Sequence, residues 1–163
     1  MCVVFAGLSA SAQEKGDIAI GLNVGIAPCI DKPSGLSSFG IQTKVQYNFS
    51  DFTRVEADFD YWSTERNQIT FITTFNIHYV CRINKFAIYP LVGIGYANIP
   101  GEYYLKDNDS GVNISRKGKF VFNMGAGFQF ALTSNVFISL DARYQAIRGL
   151  SRIPTTLGFG YKF

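Results

Sequence analysis

The chain has 163 residues, of which 47% are hydrophobic and 17% charged, and its formal net charge is +3. This length is enough for one domain with a full core, and the scattered Lys and Arg residues give no signal for nucleic-acid binding. No run of eighteen apolar residues follows the first dozen positions, so no transmembrane helix is predicted.

Residues 1–12 have the pattern of a secretory signal peptide. Val3–Leu8 is a short apolar run, and Ala10 and Ala12 fit the small-x-small pattern of a signal-peptidase site, with the cut after Ala12. No Lys or Arg precedes the apolar run, so we expect a partial signal peptide whose true start lies upstream of Met1. The alternative is a short N-terminal strand or buried segment.

Residues 13–163 are predicted to form one all-β domain, because apolar side chains alternate with polar or small ones in eight separate stretches. The predicted strands are 17–26, 39–49, 53–62, 69–81, 85–97, 119–132, 136–147 and 155–163. The connections are alternately short (48–52, 82–84, 133–135) and long (27–38, 63–68, 98–118, 148–154). This pattern is typical of an antiparallel up-and-down β-barrel whose short turns lie on one side of a membrane.

The two faces of the predicted strands differ in polarity. One face is apolar from Ile18 in the first strand to Phe163 at the C-terminus, and it carries no Asp, Glu, Lys, Arg or His. The opposite face carries many glycines and a set of ionisable side chains: Lys44, Arg54, Glu56, Asp58, Asp60, His78, Asp141, Arg143 and Lys162.

Side-chain volume decides which face points inward. A soluble, lipocalin-like barrel would enclose the apolar face, but an eight-stranded barrel has an interior only just filled by side chains. Nearly all the strand aromatics lie on the apolar face and could not fit inside, whereas glycines suit a crowded lumen. The apolar face therefore points into lipid, and the predicted fold is an eight-stranded antiparallel transmembrane β-barrel.

These features resemble the small eight-stranded outer-membrane β-barrels of the OmpA/OmpX type, the porin-family group with an outer-membrane β-barrel domain. The resemblance rests on the Ala10–Ala12 site, the eight alternating strands and a closing aromatic series, Leu157, Phe159, Tyr161 and Phe163. It implies an integral protein of the Gram-negative outer membrane, in contact with membrane lipids and lipopolysaccharide and without a cofactor. It also implies that the assembly machinery recognises the last strand.

The inward ionisable residues are predicted to form a polar network that plugs the barrel. Lys44 is expected opposite Glu56 or Asp58 in the second hairpin. Asp141 is expected opposite Lys162 in the last hairpin. With the two inward arginines, four cations balance four carboxylates, which is typical of ion pairs that satisfy one another. The alternative is a path for ions.

His78 is the only histidine, and its expected neighbour across the strands is Tyr89. The lipid A deacylase barrels use a His-x-Ser motif, which is absent because Tyr79 and Val80 follow His78. A structural role inside the barrel is therefore predicted, and no catalytic residue is assigned.

Pro90 lies in the middle of the fifth predicted strand, on the lipid face. Because proline has no N–H, it cannot donate to the ladder. A bulge at this position, or a carbonyl left without its ladder partner, is expected.

Two cysteines follow the predicted cleavage site, Cys29 and Cys81, and the strand map places them at opposite rims. Their separation across the apolar band would be roughly 25 Å, whereas a disulfide needs Cα atoms within about 7 Å. We therefore expect no disulfide, and neither cysteine has the spacing of a metal site.

The longest loop, 98–118, is the expected position of contacts with an extracellular ligand, together with loop 27–38, because a rigid barrel presents its variable chemistry there. The candidate contacts are Tyr103, Tyr104, Lys106, Asp107 and Asp109. Asp107–Gly111 alternates oxygen ligands before a glycine but lacks the bidentate Glu of a calcium loop, so no metal site is predicted. The two tyrosines are alternatively part of an upper aromatic belt with Trp62 and Tyr96, which is the interpretation we favour.

The predicted function is non-enzymatic, with a structural or adhesive role at the cell surface. The alternatives are a lipid A-modifying enzyme and a small-solute pore. The non-enzymatic function is favoured over the enzyme because the catalytic templates need a histidine that this chain places elsewhere. It is favoured over the pore because the lumen is predicted to be plugged.

Overall fold

The structure is a computed structural model that describes residues 15–30, 37–64, 69–100, 116–148 and 151–163. These ranges contain nine β-strands: β1 Ile18–Pro28, β2 Ser37–Asn48, β3 Thr53–Thr64, β4 Ile69–Tyr79, β5 Cys81–Ile83, β6 Phe86–Pro100, β7 Arg116–Ala131, β8 Val136–Ile147 and β9 Thr155–Lys162. The predicted signal peptide lies outside the described residues, so it stays a prediction.

The strands form one closed antiparallel barrel. β1 pairs with β2 and β9, the later strands pair in sequence order, and β4 pairs with β6 to complete the circle. β4 and β5 are two parts of one barrel strand, because both pair with β6 in a single register: His78 lies opposite Leu91, and Cys81 opposite Ile88. The predicted eight-stranded β-barrel is confirmed.

The break between β4 and β5 is caused by Pro90. The Val80 N–H donates to the Phe52 carbonyl at 2.7 Å, so the backbone groups of the preceding Tyr79 point the other way, toward β6. Pro90 is opposite Tyr79 and has no N–H, so the ladder is interrupted there. Because the register is the same on both sides of the break, the predicted bulge is wrong. The other expectation, a ladder carbonyl without its partner, agrees with this geometry.

Two hairpins extend further on the long-loop side than their apolar patterns predict. β1 and β2 remain paired as far as Pro28 and Ser37, and β6 and β7 as far as Pro100 and Arg116. Backbone pairing needs no apolar side chain, so it continues after the lipid-facing pattern has stopped.

Part of the predicted loop 148–154 continues β9. Arg152 bridges Cys29 on one side and Gln145 on the other, in the registers that β9 keeps with β1 and β8. The Gln145 N–H donates to the Arg152 carbonyl at 2.9 Å. Pro154 interrupts the strand because it lacks an N–H, and this break explains why the apolar pattern placed the start of the strand too late.

The predicted polarity of the two faces is confirmed. Most of the large apolar side chains on the outside expose 37–69% of their surface. The nine inward ionisable residues are all buried, and Lys162, at 8% exposed, is the most accessible of them. The described residues contain no helix long and apolar enough to cross a membrane.

Three aromatic side chains of the described strands are buried in the lumen, and each is directly opposite a glycine: Trp62 opposite Gly40, Tyr89 opposite Gly127 and Phe137 opposite Gly160. A Cβ atom at Gly127 would lie only 2.3 Å from the Tyr89 ring. These glycines therefore make room for rings in a lumen that is only just wide enough for side chains.

Candidate functional site in the barrel interior

An apolar layer crosses the lumen at the end of the long loops, which we call the upper end. Its members are almost completely buried and come from six different strands: Ala27, Trp62, Ile72, Ala97, Val121 and Ile147. Arg152 lies over the layer, with its guanidinium carbon 4.7 Å from the centroid of the Trp62 ring, and its Nε donates to Gln145 Oε1 at 2.7 Å. The predicted place of Trp62 in the outer aromatic belt is therefore wrong. Tyr96, the other strand residue predicted for this belt, does lie on the outer face.

Below this layer, Arg143 on β8 reaches across the lumen to β3. Its Nη1 donates to Asp58 Oδ2 at 2.5 Å, and its Nη2 lies 3.9 Å from Glu56 Oε1. Asn76 Nδ2 on β4 donates to the same Asp58 oxygen at 2.7 Å. Since none of these side chains is more than 2% exposed, the ion pairs are shielded from water and hold β8 against β3 and β4.

Lys44 and Asp141 form a second pair that crosses the lumen. Lys44 Nζ donates to Asp141 Oδ2 at 2.8 Å and to Ser139 Oγ at 2.9 Å. Asp141 also accepts from the Tyr89 hydroxyl at 2.6 Å and from Asn23 Nδ2 at 3.3 Å. The carboxylate thus has donors from three other strands, which compensates the loss of its hydration.

The pairing predicted between Asp141 and Lys162 is wrong. In the register of β8 with β9, Asp141 lies opposite Thr156 rather than Lys162. Lys162 is near the short-turn end, where its Nζ lies 3.3 Å from Asp17 Oδ2. The expected position of Lys44 opposite Asp58 is correct in register, but the ion pair of Lys44 is with Asp141 on the far wall.

The lower part of the network contains a stack of three planar groups. The His78 and Tyr89 rings are nearly parallel with their centroids 4.8 Å apart, and the Arg54 guanidinium carbon lies 4.5 Å from the Tyr89 centroid. Arg54 Nη1 donates to Gln46 Oε1 at 2.9 Å and to Gln129 Oε1 at 2.7 Å. The predicted contact of His78 with Tyr89 is confirmed, although the residue opposite His78 in the ladder is Leu91.

His78 has the surroundings of a structural side chain. Its Nε2 lies 3.3 Å from Glu56 Oε1, and its ring stacks on the face of the Tyr89 ring. The side chain has no exposed surface, so a substrate cannot reach it without opening the barrel.

Sequence reasoning missed two parts of this network. The apolar pattern places Arg152 in loop 148–154, yet it is 1% exposed inside the barrel and is attracted by Asp60. Lys162 pairs with Asp17 at the lower end and is therefore not part of the network in the lumen. Arg152 takes its place as the fourth cation, so the described lumen still holds four cations and four carboxylates. Sequence reasoning also missed the inward amides of the described strands: Asn23, Gln42, Gln46, Asn48, Asn76, Asn123, Gln129 and Gln145. The period-two parity of each strand, extended past Pro154, would have found them all.

The remaining assigned positions divide into two groups. Leu157, Phe159, Tyr161 and Phe163 expose 48–69% of their surface on the lipid side of β9 and after it. The candidate loop contacts Tyr103, Tyr104, Lys106, Asp107 and Asp109 lie outside the described residues. Cys29 and Cys81 are half-buried and form no disulfide. No group of three or more His, Cys, Asp or Glu residues in the described ranges could hold a metal ion.

Comparison with known proteins agrees with this geometry. The sequence model of the outer membrane protein beta-barrel domain matches residues 1–163, and a search of curated proteins finds no match. The fold is similar to the N-terminal β-barrel domain of OprF from Pseudomonas aeruginosa, with a TM-score of 0.70 and 16% identity over 93% of this chain and 100% of that one.

Two further structures share the fold. Neisserial surface protein A (NspA) has a TM-score of 0.71 and 12% identity, over 91% of this chain and 100% of that one. Ail, the attachment invasion locus protein of Yersinia pestis, has a TM-score of 0.63 and 20% identity, over 91% of this chain and 99% of that one. At these identities the likeness describes the fold alone.

Proposed function

Because the chain belongs to the outer membrane protein beta-barrel domain family, we propose that it is a non-enzymatic scaffold that presents its long loops at the bacterial surface. The protein is an integral outer-membrane β-barrel. Its proposed role is structural or adhesive: the barrel is rigid and closed, and the loops make contact with the partner.

The filled lumen is the observation that carries this proposal. The apolar layer closes the upper end, and below it the ion pairs of Lys44 and Arg143 cross from wall to wall. Moving an ion through the barrel would require breaking these buried pairs. Loss of one partner of a buried ion pair destabilises a protein by about 3–5 kcal/mol. This arrangement favours a scaffold over the alternative of a small-solute pore.

Planar-bilayer recording of the purified barrel tests the closed lumen. We expect little or no steady conductance under conditions in which a general porin, inserted as the control, gives stable channels. Steady channels of porin size would contradict the proposal.

The non-enzymatic assignment is supported by the burial of His78 and by its contacts, which are a carboxylate and a phenol ring. Mass spectrometry of lipid A from cells with and without the gene tests it. An unchanged acyl pattern is expected, and a changed one would favour the lipid A-modifying enzyme.

The proposed contact surface is the set of long loops, and sulfated glycans are the first ligands to try. Ail has been crystallised in complex with the heparin analogue sucrose octasulfate. In this chain, the loops 29–36, 65–68, 101–115 and 148–151, counted together with the first four residues of β7, carry seven Lys and Arg against five Asp and Glu. At the rim, Lys119 Nζ donates to the Arg148 carbonyl at 2.7 Å, which holds a cation beside the mouth of the barrel.

Deletion of Lys106–Gly111 separates the loop from the scaffold. We expect the deleted protein to fold with unchanged heat-modifiable gel mobility and to lose the adhesion or partner binding that the full chain shows. The control replaces the same residues with a Gly-Ser segment of equal length. Binding that survives both changes would exclude this loop as the contact surface.

The partners within the envelope are proposed to be membrane lipids, lipopolysaccharide and the outer-membrane assembly machinery. The closing series on β9 is the proposed assembly signal, and its last member, Phe163, is 69% exposed. Phe163→Ala should lower the amount of barrel assembled in cells while leaving refolding in detergent intact. Equal loss in both settings would indicate a purely structural role for this ring.

A further inference from the structure

The lipid-facing surface of the barrel carries an open groove across β2, β3, β4 and β6. Two neighbouring rows of outward side chains line it, one running through Val45, Ala57, Phe75 and Ile94 and the other including Tyr47 and Ile77. The groove encloses about 620 Å³, which is within the range of small-molecule binding sites, roughly 300–1,000 Å³.

The groove exists because Ala57 is small where its neighbours are large. Ala57 is half-buried, whereas the flanking Phe75 is 64% exposed and Ile94 54%. Glu56, Asn76 and Gly93 also contribute to the lining, and since the Glu56 and Asn76 side chains are buried in the lumen, it is their backbone that forms the floor. The depression therefore reaches down to the strands themselves.

The position of the groove identifies its surroundings. It lies toward the short-turn ends of the strands: Tyr47 is followed by only one more residue of β2. In this family the short turns are periplasmic, so the groove lies in the half of the membrane that faces the periplasm. It is continuous with the lipid-facing surface already described, and its outward side chains carry no charge.

We propose that this groove is a binding site for one acyl chain of a phospholipid in the periplasmic leaflet, with the Tyr47 hydroxyl beside the headgroup. A concave, uncharged depression on a convex wall fits a flexible hydrocarbon chain, because the chain can follow it and fill it. A second copy of this barrel would present another convex wall, which leaves the depression empty. A tyrosine near the membrane interface keeps its ring in the apolar region and its hydroxyl near polar groups.

Native mass spectrometry of the barrel, released from phospholipid vesicles into mild detergent, tests the site. Ala57→Phe fills the floor of the groove, and Ala142→Phe makes the same change on the lipid face of β8, away from it. We expect wild type and Ala142→Phe to retain one phospholipid that Ala57→Phe loses. Heat-modifiable gel mobility shows whether each variant is folded, and Ala57→Leu is the milder substitute if Ala57→Phe does not fold.

Two results would overturn the site. Equal phospholipid retention in all three proteins would mean that the lipid is held without the groove. A dimer of the wild type that disappears in Ala57→Phe alone would mean that a second copy covers it. Tyr47→Phe gives a further check, because loss of the hydroxyl should weaken retention of the phospholipid without affecting the retention of a free hydrocarbon chain of the same length.

Discussion

Replacement of Lys44 by methionine should destabilise the barrel strongly. Lys44 and Asp141 are 0% and 1% exposed, and their charged atoms are 2.8 Å apart. Lys44→Met removes the ammonium group that donates to this carboxylate, while the donors Tyr89 and Asn23 stay in place. Removing one partner of a buried ion pair costs about 3–5 kcal/mol, so we expect a loss of this size in the free energy of unfolding.

A double-mutant cycle isolates the pair itself. Lys44→Met with Asp141→Asn leaves neither charge uncompensated, and the amide oxygen can still accept from Tyr89. The remaining mismatch is the new amide N–H, which faces the Asn23 amide. The double variant should therefore lose less than the sum of the two single variants, with a coupling energy of about 1–3 kcal/mol.

Lys162→Met is the matched control because it removes a cation at the lower rim. The ion pair of Lys162 with Asp17 is more accessible than that of Lys44 with Asp141, with side chains 10% and 22% accessible against 0% for both partners, so its loss should cost less than the loss of Lys44. If Asp141 were instead paired with Lys162, as the alternation alone suggests, this variant would be the costly one.

Urea unfolding from phospholipid vesicles measures these differences. The single tryptophan, Trp62, lies in the lumen against Arg152, so its fluorescence reports the opening of the barrel, and gel mobility gives a second measure. A cost below about 1 kcal/mol for Lys44→Met, or strictly additive single and double variants, would refute the reasoning.

The remaining predictions concern the two faces of the wall and use the same unfolding measurement. Ile94→Arg puts a charge in the middle of the lipid band and should cost about 2–4 kcal/mol, whereas Ile94→Val should cost little; equal costs would contradict the lipid-facing assignment. Gly127→Ala brings a Cβ atom against the Tyr89 ring and should cost about 1–3 kcal/mol. Gly118→Ala should cost less, because the group in its way is the hydroxyl of Tyr96, which is exposed and can move; a larger cost at Gly118 would contradict this.

The strands and their two faces could be predicted from the sequence because both follow from period two. Each of the nine ionisable residues that alternation predicts on the inward face, from Lys44 to Lys162, is buried. The errors arose where another rule was preferred to parity. Trp62 has inward parity, but the preference of aromatic residues for membrane interfaces predicts an outer belt for it. Pro154 predicts the start of the last strand after it, but the pairing of Arg152 continues that strand on the other side.

The ion-pair partners could not be predicted in the same way. Pairing across a hairpin assumes that neighbours in the ladder are neighbours in the lumen, and for Lys44 the ladder neighbour is Asp58. In a narrow barrel the opposite wall is as close as the next strand, so a long side chain can reach a partner on any of the strands. The tilt and stagger of the closed barrel set that choice, and no local pattern in the sequence records them.

These cross-lumen contacts explain why the interior should behave as one unit. Lys44 on β2 binds Asp141 on β8, which binds Tyr89 on β6, while Arg143 on β8 binds Asp58 on β3. Each contact fixes the distance between two walls, so the barrel cannot widen at one pair without straining the others. The changes in unfolding free energy caused by substitutions within this set should therefore be non-additive. The change caused by substituting Lys162, which bonds at the rim, should add to the others independently. A lumen held in this way suits the proposed role of a closed scaffold.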